Sequence, residues 1–139
     1  MIRKRRNIVF TILLLLMISA CSNSASTNKA NLDEEVFERG TKLVQYSYME
    51  INGEDVPEDE YKELLSWYSD KLESGDYSSE DEELLFSQLE LIKAKQGLYA
   101  IQKVNEKFSG ESGDSDSNRE EIEGIFKEIE NNFGISYKN

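Results

Sequence analysis

From Asp33 onward, stretches whose apolar residues recur three and four apart alternate with short stretches rich in Gly, Ser, Asn and Asp. That is the pattern of amphipathic helices joined by tight connections. Val36, Phe37, Leu43, Val44, Tyr48 and Ile51 mark one side of a first helix, and Gly40 and Ser47 share that face. Small side chains there let a neighbouring helix come close. Asn52-Gly53 supplies a C-terminal stop. Pro57, tolerated in a first helical turn, precedes Glu58, Asp59 and Glu60, which suit the positive end of a helix dipole. The second helix then follows the stripe Tyr61, Leu64, Leu65, Tyr68 and Leu72 to about Glu73, where Ser74-Gly75-Asp76 closes it.

Ser79 with Glu82 forms a capping-box pattern that opens the longest helix, predicted to run to about Phe108. It carries two apolar stripes. Leu84, Leu85, Leu91, Ile92, Leu98 and Tyr99 make one, and Ala94, Gly97, Ile101, Val104 and Phe108 make the other. Their centres fall on nearly opposite sides, so this helix is expected to be covered on two faces as the middle of a bundle, unless a kink at Gly97 turns one continuous face. Ser109 to Ser117 reads as a mobile, low-complexity linker. A last helix, capped by Ser117 or Asn118 with Glu120 or Glu121, presents Ile122, Ile125, Phe126, Ile129 and Phe133. Gly134 stops it, and Ile135 stands where a capping contact belongs. The expectation is an all-α, compact bundle of about four amphipathic helices over residues 32–139.

The chain's start follows different rules. Arg3, Lys4, Arg5 and Arg6 precede an almost wholly apolar run of 13 residues, Ile8 to Ala20. This is signal-peptide architecture, and the run falls short of the roughly 20 residues that span a bilayer. Ile18-Ser19-Ala20-Cys21 resembles the lipobox of bacterial lipoproteins. The resemblance covers the leader alone. It implies a signal peptide over 1–20, cleavage after Ala20, and diacylglycerol on the thiol of Cys21, so that the protein is anchored by lipid at the extracytoplasmic face of the cell membrane. Residues 21–31 hold the lipidated cysteine and a small, polar segment that reads as a flexible tether.

Composition narrows the function. The whole chain carries a net charge of −12, and from Cys21 onward 12 basic residues face 28 acidic ones, a net of −16. Such a domain is repelled by phosphates, which sets nucleic acid aside. Its favoured partners are a protein or a cationic peptide, with the membrane held through the Cys21 anchor. The chain has no histidine and one cysteine, which removes Ser-His and Cys-His catalysis and His/Cys zinc sites. Catalytic residues, cofactors and a specific metal site are therefore not expected. Asp114-Ser115-Asp116-Ser117-Asn118 begins like a calcium loop, but Arg119 occupies its glycine position and Ile125 the position of its bidentate glutamate.

Most of the aromatics fall on the helix stripes. Tyr46, Met49 and Trp67 do not, and make a candidate partner-binding cluster ringed by acids. The leading reading is a non-enzymatic lipoprotein that binds another macromolecule, of envelope-complex accessory, immunity or exclusion type. The alternative is a carrier holding a small ligand or divalent cation between its helices.

Overall fold

The computed structural model describes residues 30–110 and 114–138. They form four helices, α1 (Glu34–Ile51), α2 (Glu58–Ser74), α3 (Glu80–Ser109) and α4 (Ser115–Phe133), with no strand among the described residues. The leader, Cys21 and most of the tether lie outside them.

Helix ends follow local chemistry. Asp33 caps α1 by accepting from the Glu35 N–H at 2.9 Å, and Ser79 caps α3 by accepting from the Glu82 N–H at 3.2 Å. Gly75, Gly110 and Gly134 end α2, α3 and α4 in the left-handed conformation that glycine adopts without a steric penalty.

Contacts between helices set an up-down-up-down order. Asp33 and Ser47 of the α1 region meet Glu82 and Gln96 of α3, so these two helices run parallel. Tyr61 and Tyr68 of α2 meet Lys93 and Phe86 of α3 in reverse order. Likewise α4 runs back along α3, from Asn118 beside Gln102 to Glu128 beside Gln88. The bundle is all-α, and its core joins Val36, Leu43 and Val44 of α1, Leu64 and Tyr68 of α2, Leu85, Phe86, Leu89 and Ile92 of α3, and Ile122, Phe126 and Ile129 of α4.

Helix α1 packs against both α2 and α3. A Cβ on Gly40 would meet Leu85 Cδ2 at 3.3 Å and Ile135 Cδ1 at 3.8 Å, so the absent side chain is what lets α3 and the C-terminal tail approach. Ser47, two turns further along the same face, is fully buried. The expected covering of both apolar stripes of α3 is not observed. Leu85, Phe86, Leu89 and Ile92 are buried, Leu85 against Gly40 of α1 and Phe86 against Trp67 and Tyr68 of α2, while Leu84, Leu91, Leu98, Ile101, Val104 and Phe108 are exposed. Helix α3 continues unbroken through Gly97.

Three further boundaries differ from expectation. Glu82 does not complete a capping box at Ser79. Its buried carboxylate instead accepts from the Ser78 N–H at 2.9 Å, the Ser78 hydroxyl at 2.6 Å and the Asp33 N–H at 3.1 Å, tying the start of α1 to the start of α3. The tether's end is docked, because Asn31 donates to Asp81 at 2.7 Å and accepts from the Ser79 hydroxyl at 2.5 Å. Finally, α4 begins at Ser115, inside the stretch read as linker. Ser115 donates to Glu106 at 3.2 Å and the Asn118 side chain donates to Gln102 at 2.6 Å, so partners on α3 hold a turn that local propensity alone leaves open.

Behind Gly134 the tail folds onto the bundle. Ile135 and Tyr137 are buried, and Tyr137 stacks on Phe126 with Tyr48 edge-on to both.

Candidate binding groove

Helix lengths create the most distinctive surface feature. Helix α3 has 30 residues against 18 in α1 and 17 in α2, so at 1.5 Å per residue it is roughly 20 Å longer than either. Where α1 ends and α2 begins, the second half of α3 carries on without them. The angle between them is a groove of about 450 Å³, walled by Ile51, Leu65, Gly97, Tyr99 and Ala100. Gly97 widens it, since a Cβ there would meet nothing within 4 Å.

One side of the groove is polar. Tyr61 donates to Glu50 Oε2 at 2.8 Å, and Lys93 donates to the Tyr61 hydroxyl while its ammonium lies 4.6 Å from the Tyr61 ring centre and 3.7 Å from Glu50 Oε2. Gln96 donates to the Ser47 carbonyl at 2.9 Å and to Glu50 at 3.4 Å. Its own carbonyl oxygen is buried and has no partner among the described residues. An acceptor so placed suits a hydrogen-bond donor arriving with an otherwise apolar ligand.

Burial sets the titration of this cluster. The Tyr61 hydroxyl is pushed well above the ordinary tyrosine value, first by burial and further by Glu50, against the Ser47 hydroxyl. Lys93 is lowered by burial, with Glu50 opposing the shift. The Lys93 ammonium thus rests on a ring face and one carboxylate, both of which favour its charged form.

The sequence-derived candidates lie elsewhere. Tyr46 is half-buried between α1 and α2, edge-on to Tyr61 at 5.9 Å, and donates to Glu60 at 2.5 Å. That carboxylate also pairs with Lys42, and the two partners together hold Glu60 below the usual carboxylate range. Trp67 is half-buried against Phe86, with the Arg39 guanidinium 5.6 Å over its ring. Met49 is half-buried on α1. Tyr46 and Trp67 thus belong to the packing of α1 and α2, and neither stands out as a free anchor. Cys21 lies outside the described residues. Asp116, Ser117 and Asn118 occupy the first turn of α4.

Residues that the stripes did not single out line the groove, Glu50, Lys93, Gln96 and Lys103 among them. One signal was present. Gly97 in the interior of a long helix costs about 1 kcal/mol against alanine, and a glycine kept there marks a position worth inspecting, here a wall of the groove with open space before it.

No helix among the described residues is long and apolar enough to cross a membrane. Comparison with protein-family models, curated proteins and solved structures finds no match to this chain.

Proposed function

We propose that this chain is a lipid-anchored, extracytoplasmic, non-enzymatic binding module, and that the groove beside α3 receives an apolar segment of a macromolecular partner. The observation that carries the reading is the groove itself, with its apolar walls, a polar cluster on one side and a wide mouth onto the overhanging half of α3. The lipobox-like leader supports the anchor. Net negative charge favours a partner bearing basic residues, since opposite charge speeds encounter. An envelope-complex subunit, a bacteriocin met by an immunity lipoprotein, or a component met by an exclusion lipoprotein all fit that description.

Two experiments test the two halves of the reading. Replacing the thiol with Cys21→Ser is expected to move the protein out of the membrane fraction, and unchanged fractionation overturns the anchor. A photoreactive side chain at Lys103, introduced in the native cells, is expected to capture a discrete partner. Ala100→Trp should abolish capture by filling the groove from an exposed position while circular dichroism stays the same. Capture indifferent to Ala100→Trp overturns the groove as the site.

The groove volume also lies within the range of small-molecule pockets. The second reading is therefore a small apolar ligand that offers one hydrogen-bond donor to Gln96. Native mass spectrometry showing a bound small molecule that Ala100→Trp displaces would select it.

A further inference from the structure

The outer face of α3 is a separate surface. Leu84, Leu91 and Leu98 are each 46% exposed, Ile101 60%, Val104 53% and Phe108 84%. At roughly 100 Å² apiece they present on the order of 600 Å² of apolar surface. That is the upper end of what a monomer leaves in water.

These residues are in heptad register. Leu84, Leu91, Leu98 and Asn105 stand seven apart, and so do Ser87, Ala94, Ile101 and Phe108, three residues further on. This is the seam of a two-stranded coiled coil. None of the eight lines the groove.

We propose that a second copy of this chain covers the seam, with the two α3 helices antiparallel about a two-fold axis near Gln96. Reversed on itself about that point, the seam is self-complementary. Leu84 falls opposite Phe108 of the second copy, and Leu91 opposite its Ile101. Ala94 meets Leu98, a small side chain against a large one, and the two polar seam residues, Ser87 and Asn105, meet each other. Gly97 flanks the axis opposite Gly97 of the second copy, where the missing side chains allow close approach. An interface of this kind closes as an isologous dimer and leaves no open end.

Charge selects the direction. Residues 80–90 carry Glu80, Asp81, Glu82, Glu83 and Glu90 with no base, whereas residues 91–109 carry Lys93, Lys95, Lys103 and Lys107 against Glu106 alone. Antiparallel pairing sets the acidic half of one helix beside the basic half of the other and opposes the two helix dipoles. Parallel pairing would place the acidic halves side by side. Of the lysines only Lys95 borders the seam, beside Lys95 of the second copy and paired with Glu121 of its own chain, so charge here steers orientation and adds no affinity. The two faces together offer on the order of 1,200 Å², the lower bound for a specific interface, so the dimer is expected to be a weak one. The proposal stands independently of the groove and of the lipid anchor.

The test uses the full chain carrying Cys21→Ser, so that introduced thiols are the only ones. Sedimentation from about 1 to about 100 µM, the range such an interface implies, is expected to show a dimer. Leu98→Glu with Ile101→Glu should weaken it at least about 100-fold, as loss of two central apolar positions does. Both residues are exposed, so the helical circular dichroism should not change. A short bismaleimide should join Leu84→Cys chains to Phe108→Cys chains in a mixture but join neither variant to itself. A monomer throughout the range, or a dimer untouched by the glutamates, overturns the proposal. Self-linkage of Phe108→Cys overturns the antiparallel arrangement. Should a basic amphipathic peptide bind the seam of a chain that stays monomeric, the occupant is a heterologous helix and the proposal fails.

Discussion

Glu82→Gln tests what joins the two parallel helices. The carboxylate is fully buried and accepts three hydrogen bonds, two from Ser78 and one from the Asp33 N–H. A glutamine keeps one acceptor but turns an amide N–H₂ toward groups that are themselves donors. At least one buried N–H is then left without a partner, and the charge-assisted character of the rest is lost, a cost of about 2–3 kcal/mol. A domain of this size has roughly 5–15 kcal/mol in total. The midpoint of thermal unfolding should therefore fall by about 10 °C or more.

The pH dependence gives an independent check on the same group. Burial alone would raise the Glu82 pKa, yet the hydrogen bonds from Ser78 and Asp33 outweigh it and hold the group below its ordinary value. Its stabilising contribution is thus fully present above the unfolded carboxyl pKa of about 4.3 and is lost as pH falls through the lower folded value. Glutamine does not titrate. The difference in midpoint between the two proteins, read by circular dichroism, should be largest near neutral pH and should shrink below about pH 4. Equal midpoints at neutral pH, or a gap that persists unchanged into acid, would refute the account of Glu82 as a buried, ionised clasp.

Further outcomes follow from packing and titration. Gly97→Ala should raise stability by about 1 kcal/mol in chemical denaturation, because the added methyl meets nothing and only the helix propensity changes. Gly40→Val should lower it by about 1–3 kcal/mol by the same measurement, since its branches would have to displace Leu85 and Ile135. Ile135→Ala should cost about 2–4 kcal/mol although the residue lies outside every helix, because its side chain is fully buried. Spectrophotometric titration should find Tyr68 ionising only near pH 12, and Tyr61 also late, both held up chiefly by burial. Folded-state values raised above the unfolded one mean that their stabilisation is complete below about pH 10 and is lost as pH climbs beyond it, so alkaline unfolding should accompany their ionisation.

Much of this architecture is local and therefore legible in the residues alone. The cap at Ser79, the stops at Asn52-Gly53, Gly75 and Gly134, and the apolar faces of α1, α2 and α4 depend on neighbours within a turn or two of the chain. The all-α class follows from those periodicities. Near-local, too, is the use of Gly40 and Ser47 as points of close approach, because two small residues on an otherwise apolar face have few other uses.

What tertiary structure decided was which of two equivalent options each ambiguous stretch took. Helix α3 carries apolar residues around most of its circumference, and nothing within it says which side meets α1. That choice rests on where Gly40 lets Leu85 in, and it leaves Leu84 and Leu91 outside. Glu82 accepts from Ser78 and from Asp33, 49 residues away, in place of the Ser79 N–H, and the Asp33 contact exists only once α1 lies beside α3. Ser115 becomes helical because Glu106 and Gln102 stand beside it, and Tyr137, in a tail with no periodicity, is captured by Phe126 and Tyr48. The groove is the furthest from the sequence of all. It comes from a difference in length between helices that pack side by side, and that difference becomes a cavity only once their relative register is set.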